Sequence, residues 1–197
     1  QLDQYSRENR DYKYILVVID CFSKYLWTKP LKTKSAEEVA KAMRNVLETS
    51  GRIPKKLVSD NGKEYYNSNF QNLMKKYKVH HYSTFSVVKA SIAERVIRTI
   101  KEKLFKRFTF NGNHKWINLL EQITSEYNNS KHRTIGMKPV QVNKNNEKEL
   151  LNTVYSNIKI KGAQKFKVGD IVRISKHKHL FEKGYTPNWT TELFKII

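Results

Sequence analysis

The run KLVSDNGKEY, residues 56–65, carries a short apolar segment to a carboxylate, Asp60, and follows it at once with Asn61-Gly62. A strand over Lys56–Ser59, then a turn whose residues tolerate positive φ, would hold Asp60 at the strand's carboxyl end, where it could ligate a metal. Asp-Asn-Gly is also an ordinary turn, so Asp60 alone says little. Asp3 and Glu94 add two carboxylates on separate elements. Three such groups, if the fold converges them, suit one or two hard divalent cations and leave positions open for substrate. Two ions about 3.5–4 Å apart would activate an attacking oxygen and stabilise a leaving one in a phosphoryl displacement. Asp20 offers a competing trio with Asp60 and Glu94, but it precedes Cys21-Phe22-Ser23 and reads as the cap of a hairpin turn. Glu64 reads as a surface group and Cys21 as a small buried hydrophobe.

The elements that must position these groups follow from periodicity. After the first segment, which bears Asp3 and is expected as a strand, Tyr12–Ile19 is a continuous β-branched run, expected as a strand buried on both faces. Tyr25–Pro30 reads as its meander partner. Ser35-Ala36-Glu37-Glu38 is a capping box opening a helix that buries Val39, Met43, Val46 and Leu47 and ends at Gly51. Pro54 leads into the strand before Asp60. Ser68–Gln71 opens a short helix with Phe70, Leu73, Met74 and Tyr77 inward. Val79–Tyr82 follows as a strand that turns one of His80 and His81 inward and the other outward. Ser83–Ser91 reads as a loop. From Ile92 a long helix sets Val96, Ile97, Ile100, Leu104 and Phe105 against Arg95, Arg98, Lys101, Lys103, Lys106 and Arg107. His114–Tyr127 reads as a further helix around Trp116, Leu119, Leu120 and Ile123. Asn128–Gln164 is Asn- and Lys-rich with little periodicity, hence a linker. Short strands follow: a turn at Lys167–Asp170, then Ile171–Ser175, Gly184–Pro187 and Leu193–Ile197.

The chain has 197 residues with 38 Lys and Arg against 18 Asp and Glu, a net charge of +20. A balance so basic points to a polyanionic partner, with nucleic acid ahead of an anionic membrane surface. No long apolar span, signal-like start or lipidation motif is present, and the reading is a soluble intracellular protein without membrane partners. One cysteine excludes an intramolecular disulfide and a Cys-rich zinc site. Residues Ile158–Ile197 hold nine Lys and Arg against three acids.

Taken together, YILVVIDCFSKYLW, VSDNGKEY and HHYSTFSVVKASIAERVIRTIK resemble the integrase catalytic core of retroviruses and related transposons. With HYSTF, KASIAER and the tail FKVGDIVRISKHKHLFEKGYTPNWTTELF, the wording is most similar to integrases of Maverick/Polinton-class DNA transposons. The resemblance implies an α/β, ribonuclease H-like mixed sheet flanked by helices, followed by a small SH3-like β-barrel. The boundaries are 1–130 for the core, 131–163 for a linker and 164–197 for the barrel. It implies Asp3, Asp60 and Glu94 as the catalytic, metal-holding triad with Mg²⁺ or Mn²⁺, two ions. Asp60 and Glu94 have 33 residues between them, slightly fewer than in retroviral enzymes, and Arg95-Val96-Ile97-Arg98 stands where many relatives have Arg-Phe-Asn-Arg. Lys89, Arg98 and Lys101 are expected on phosphates beside the site, and Arg173, Lys176 and Trp189 on DNA in the barrel. The implied activity is DNA 3′-end processing and strand transfer by a homo-oligomer on element ends and target DNA in the nucleus. The alternatives are a decayed or domesticated DNA-binding protein without catalysis and, last, a ribonuclease acting on RNA–DNA hybrids.

Overall fold

The computed structural model describes residues 2–83, 91–156, 166–176 and 187–197. The chain divides into two compact units, Gln1–Val154 and Tyr155–Ile197.

The first unit opens on a 3-10 helix, Asp3–Asn9, where a strand is expected. The sequence DQYSREN is polar, has no β-branched residue and no alternation, so nothing in it favours an extended, half-buried ladder. It ends in left-handed backbone at Arg10 and Asp11, φ 53° and 64°. Strand β1 (Tyr14–Ile19) pairs antiparallel with β2 (Leu26–Leu31), Tyr14 opposite Leu31 and Ile19 opposite Leu26. Helix α1 (Ala36–Ser50) starts at Ser35, whose hydroxyl accepts from the Glu38 amide, and ends at Gly51 with φ 62°. Glu38 does not complete the reciprocal half of a capping box. Its carboxylate instead takes the Lys32 and Thr33 amides, at 2.6 and 2.8 Å, and ties the preceding loop to the helix.

Strand β3 (Lys56–Ser59), helix α2 (Ser68–Lys76) and strand β4 (His80–Ser83) form a βαβ unit, β3 and β4 parallel with Lys56 opposite His80. The cap of α2 is Asn67, one residue before the expected start, accepting from the Phe70 amide at 2.9 Å. With no strand over Asp3–Asn9, the described residues of this unit hold two short ladders, β1–β2 and β3–β4, in place of one continuous sheet.

Period-2 alternation divides β1 between two cores. Leu16, flanked by Tyr14 and Val18, packs with Leu31, Val39, Met43, Leu47, Phe70, Leu73, Met74 and Val79. Ile15, Val17 and Ile19 face a second cluster, in which Leu26 joins residues of α3 (Ser91–Asn111) and α4 (Ile117–Asn129). Both faces of β1 are therefore covered as expected, although only Leu16 is fully buried. Full burial of such side chains contributes roughly 1.5–3 kcal/mol each. On α3 the buried stripe is Val96, Ile100, Leu104 and Phe108, at strict i+4 spacing. Ile97 and Phe105, expected inward, sit about 100° round the helix from that stripe and are 37% and 46% exposed.

Two buried asparagines close the unit. Asn9 donates to the carbonyls of Tyr5 and His114, at 2.7 and 2.8 Å, and accepts from the amides of Trp116 and Ile117, at 2.6 and 3.2 Å. Trp116, at the N-cap of α4, offers no capping side chain, so Asn9 caps that helix from more than a hundred residues away. Asn128 does likewise for β2, taking the Leu26 amide and giving to its carbonyl, both at 2.8 Å. Residues 131–154, expected as linker, contain a 3-10 turn at Pro139–Gln141 and helix α5 (Glu147–Thr153), and bury Ile135, Val142 and Leu150.

In the second unit, Lys167–Asp170 forms the expected turn, the Lys167 amide on the Asp170 carboxylate at 2.8 Å and Gly169 at φ 98°. Strands β5 (Ile171–Val172) and β6 (Phe194–Lys195) pair antiparallel, and Ser175 bridges Trp189. The expected SH3-like barrel does not appear among the described residues, which hold this one short ladder and the bridge. The expected strand Gly184–Pro187 lies mostly outside them.

Candidate active-site carboxylates and cationic faces

Asp60 stands directly after β3, at its carboxyl end, exposed, as its motif predicts. The turn beyond it works differently from expectation, since neither Asn61 nor Gly62 adopts positive φ. The Asp60 carboxylate accepts the Gly62 amide at 3.3 Å, and the Gly62 carbonyl accepts the amides of Tyr65 and Tyr66, at 3.0 and 3.2 Å. A Cβ at position 62 would meet the Glu64 carboxylate, the mobile end of a partly exposed side chain, so a larger residue there requires Glu64 to turn aside. Burial first, then the charges of Asp60 and Glu64, push the Tyr65 phenol up to about 12.

Behind Asp60 runs a hydrogen-bond chain that the sequence reading did not find. Gln71 on α2 lies 2.9 Å from His81 Nδ1, His81 Nε2 lies 2.8 Å from the Ser59 hydroxyl, and that hydroxyl donates to the Asp60 carbonyl at 2.8 Å. The Gln71 amide also donates to the Tyr65 carbonyl at 3.2 Å, which fixes its NH₂ end. The directions are then consistent only with a neutral imidazole, accepting at Nδ1 and donating at Nε2. Burial, and next the neighbouring His80, hold the His81 imidazole below its usual range. The expected in–out split of the pair holds, with His80 exposed and His81 turned in.

This chain carries a pH prediction. His81 binds fewer protons folded than unfolded, so its contribution to stability is present above the unfolded-state value, about 6.5, and is lost as pH falls below it. Urea unfolding between pH 7.5 and 5 should show stability falling on acidification, with a smaller slope in His81→Phe. An identical slope in that variant would show that His81 is not held neutral.

Glu94 lies in the first turn of α3, exposed, where the helix dipole favours a carboxylate. Asp3 sits in the 3-10 helix and not on a strand, 60% exposed, with Lys13 Nζ 3.7 Å from its carboxylate. Among the described residues no group of three or more His, Cys, Asp or Glu side chains could hold a metal ion, so Asp3, Asp60 and Glu94 are not brought together as a trio. Carboxylate oxygens are the donors that Mg²⁺ or Mn²⁺ prefers. Asp20 is occupied by its own turn, accepting the Phe22 amide at 3.0 Å and the Ser23 hydroxyl at 2.5 Å, as the hairpin reading predicts. Cys21, expected as buried, is exposed at the tip of that turn, between the ends of β1 and β2.

Of the cations, Arg98 and Lys101 are exposed on one α3 patch with Glu94, Ile97, Glu102 and Phe105. Lys103 and Arg107, expected on a free basic face, both pair with Glu126 of α4, at 3.4 and 2.8 Å. Lys89 lies outside the described residues. In the second unit Arg173 and Lys176 are exposed, and Trp189 is 55% exposed. The Lys176 amide donates to the Asn188 carbonyl at 2.8 Å, which holds it beside the segment that bears Trp189.

The fold is that of integrase catalytic cores, ribonuclease H-like, with small mixed ladders and flanking helices. It is similar to the catalytic core of the HTLV-2 integrase solved with magnesium (TM-score 0.58, 22% identity, 66% of this chain and 85% of that one). It is also similar to a chain of a simian T-cell lymphotropic virus intasome in complex with the PP2A regulatory subunit B56 gamma (TM-score 0.66, 16% identity, 94% of this chain and 63% of that one). Residues 3–84 match the integrase core domain family. In sequence, the chain is 38% identical over 193 residues to an uncharacterised transposon-derived protein of Caenorhabditis elegans, across 98% of this chain and 65% of the relative. It is 32% identical over 134 residues to the Gag-Pol polyprotein of gibbon ape leukemia virus, across 66% of this chain and 8% of that polyprotein. The chain thus spans less than two thirds of these relatives. No described helix is long and apolar enough to cross a membrane.

Proposed function

We propose that this chain is the core of a transposon- or retrovirus-type integrase, a polynucleotidyl transferase that processes DNA 3′ ends and joins them to target DNA. The observation that carries the reading is the coincidence of motif and fold: the segment matching the integrase core domain ends just past β4, and within it Asp60 terminates β3. Asp60 and Glu94, with Asp3 as the third, are the carboxylates that would hold Mg²⁺ or Mn²⁺, two ions, which when bound would activate the attacking oxygen and stabilise the leaving one. The chain's own residues contribute a fixed Asp60 backbone, through Ser59, His81 and Gln71, and cations for the DNA backbone at Lys89, Arg98, Lys101, Arg173 and Lys176, with Trp189 to stack on a base. The source is read as an element of the Maverick/Polinton class and the working form as a nuclear homo-oligomer on DNA, both on motif resemblance.

One observation favours a second reading. Asp3 lies 3.7 Å from Lys13, and the described residues form no cluster of three acidic or imidazole groups, which fits a DNA-binding derivative that no longer catalyses. Strand transfer and DNA affinity, measured on this chain, Asp60→Asn and Asp3→Asn with Mg²⁺ or Mn²⁺, separate the two. The integrase reading expects transfer by the parent chain and a loss of about 10²-fold or more in Asp60→Asn, with DNA affinity within about threefold. DNA binding without transfer in any sample would establish the second reading. If Asp3→Asn transfers as the parent does, Asp3 is not the first ligand.

A further inference from the structure

A concavity of about 540 Å³ opens on a different side of α3 from Glu94. Arg95 and Lys103 line it from α3, Lys24 from the β1–β2 turn, and Lys131, His132 and Arg133 from the segment after α4. No carboxylate is among the lining residues. Two of these cations have nearby compensation: Lys103 pairs with Glu126, and Lys24, buried, donates to the Cys21 carbonyl at 2.5 Å near Asp20. Arg95, Lys131 and Arg133 make no ion pair among the described residues. Like charges gathered around one hollow raise its potential, and an anion there relieves the repulsion.

Two neutral groups in the same hollow are set to donate. His132 Nδ1 accepts the Thr134 amide at 3.2 Å, which leaves the proton on Nε2. Burial, followed by Lys24, Arg133 and Arg95, holds that imidazole below its usual range, as a surrounding positive field requires. Tyr127 also lines the hollow, and its hydroxyl is out of contact with solvent with no hydrogen-bond partner among the described residues. Such a donor gains a partner once the lining shifts enough for an anionic oxygen to reach it.

We propose that this hollow is a phosphate-binding pocket, separate from the candidate catalytic carboxylates, built to take a tetrahedral oxyanion between the end of α4 and the Arg95–Lys103 stripe of α3. Guanidinium groups bind such oxygens bidentately, and the Tyr and His donors add direction. The phosphate can be one diester of a DNA backbone or part of a free polyphosphate. The DNA source rests on the integrase reading and the pocket itself does not.

The test uses the full chain, Tyr127→Phe, and the pair Arg95→Ala with Arg133→Ala, both arginines being exposed. Tripolyphosphate binding is measured by calorimetry and DNA binding by fluorescence anisotropy against salt. Tripolyphosphate affinity should fall at least tenfold in the double variant and severalfold in Tyr127→Phe. By NMR, the His132 imidazole should titrate higher with ligand bound, in a lining of Lys24, Arg95, Lys103, Lys131, Arg133 and Tyr127 where Asp20 lies near Lys24 and Glu126 pairs with Lys103. If DNA is the source, the double variant also lowers the salt slope of DNA binding by about two. Loss of tripolyphosphate affinity with unchanged DNA binding upholds the pocket and assigns it to free polyphosphate. Unchanged affinity for both ligands in folded variants, or an unmoved His132 titration, overturns it. Absence of strand transfer alongside intact phosphate binding counts against the integrase reading alone.

Discussion

Asn9→Leu is expected to destabilise the first unit by about 3–5 kcal/mol, because it strips four buried or part-buried backbone groups of their partner. Asn9 is 1% exposed, and its side chain serves the carbonyls of Tyr5 and His114 and the amides of Trp116 and Ile117. Leucine matches its size but can neither donate nor accept. Each orphaned group costs about 1–3 kcal/mol, and partial rehydration at the ends of α4 keeps the total below the simple sum. The fall in melting temperature should be roughly 10 °C or more for a unit of this size. Asn129→Leu, at an exposed position on the last turn of α4, should change stability by about 0.5 kcal/mol or less. A loss under about 1 kcal/mol in Asn9→Leu would show that α4 does not depend on this distant cap.

The second large effect is at Trp116, which is fully buried between the ends of α3 and α4. Trp116→Ala should cost about 3–5 kcal/mol through lost burial and the cavity left behind. Trp116→Phe should cost much less, about 1 kcal/mol. Its ring fills most of the space, and the indole Nε1 that it removes has no hydrogen-bond partner among the described residues. Urea midpoints at constant m-value report both variants. Equal losses in the two would mean that the indole N–H is paired in solution.

The parts of this fold legible in the sequence are those in which one local signal and one burial pattern agree. Ser35 and Gly51 bound α1, the β-branched run gives β1, and the apolar segment before Asp60 gives β3. The in–out split of His80 and His81 follows from strand alternation alone. What stayed hidden depends on contacts distant in sequence. Nothing near Trp116 announces that its cap is Asn9, and nothing near Ser59 announces the path from Gln71 through His81 to Asp60. Ile97 and Phe105 lie outside the buried stripe because periodicity gives an apolar arc but not its centre, which the packing of α3 on β1 and α4 sets at Leu104. A first strand bearing Asp3 is expected from the element order, but the polar local sequence forms a 3-10 helix instead. Residues 131–154 look like linker in sequence because short 3-10 and helical turns bury single residues, Ile135, Val142 and Leu150, too widely spaced to make a period.

The asparagine ties also bear on the order in which the chain becomes a protein. The amide and carbonyl of Leu26 wait for Asn128, and Asn9 waits for His114, Trp116 and Ile117. During synthesis at about 5–20 residues per second, the β1–β2 hairpin therefore leaves the ribosome several seconds or more before the helix that covers its second face. Until then Ile15, Val17, Ile19 and Leu26, the apolar residues that belong to that face, have nothing to pack on. The nascent chain passes through a stage at which a hairpin with one finished side is open to chaperones and to other hairpins like itself, and only the arrival of α4 ends it.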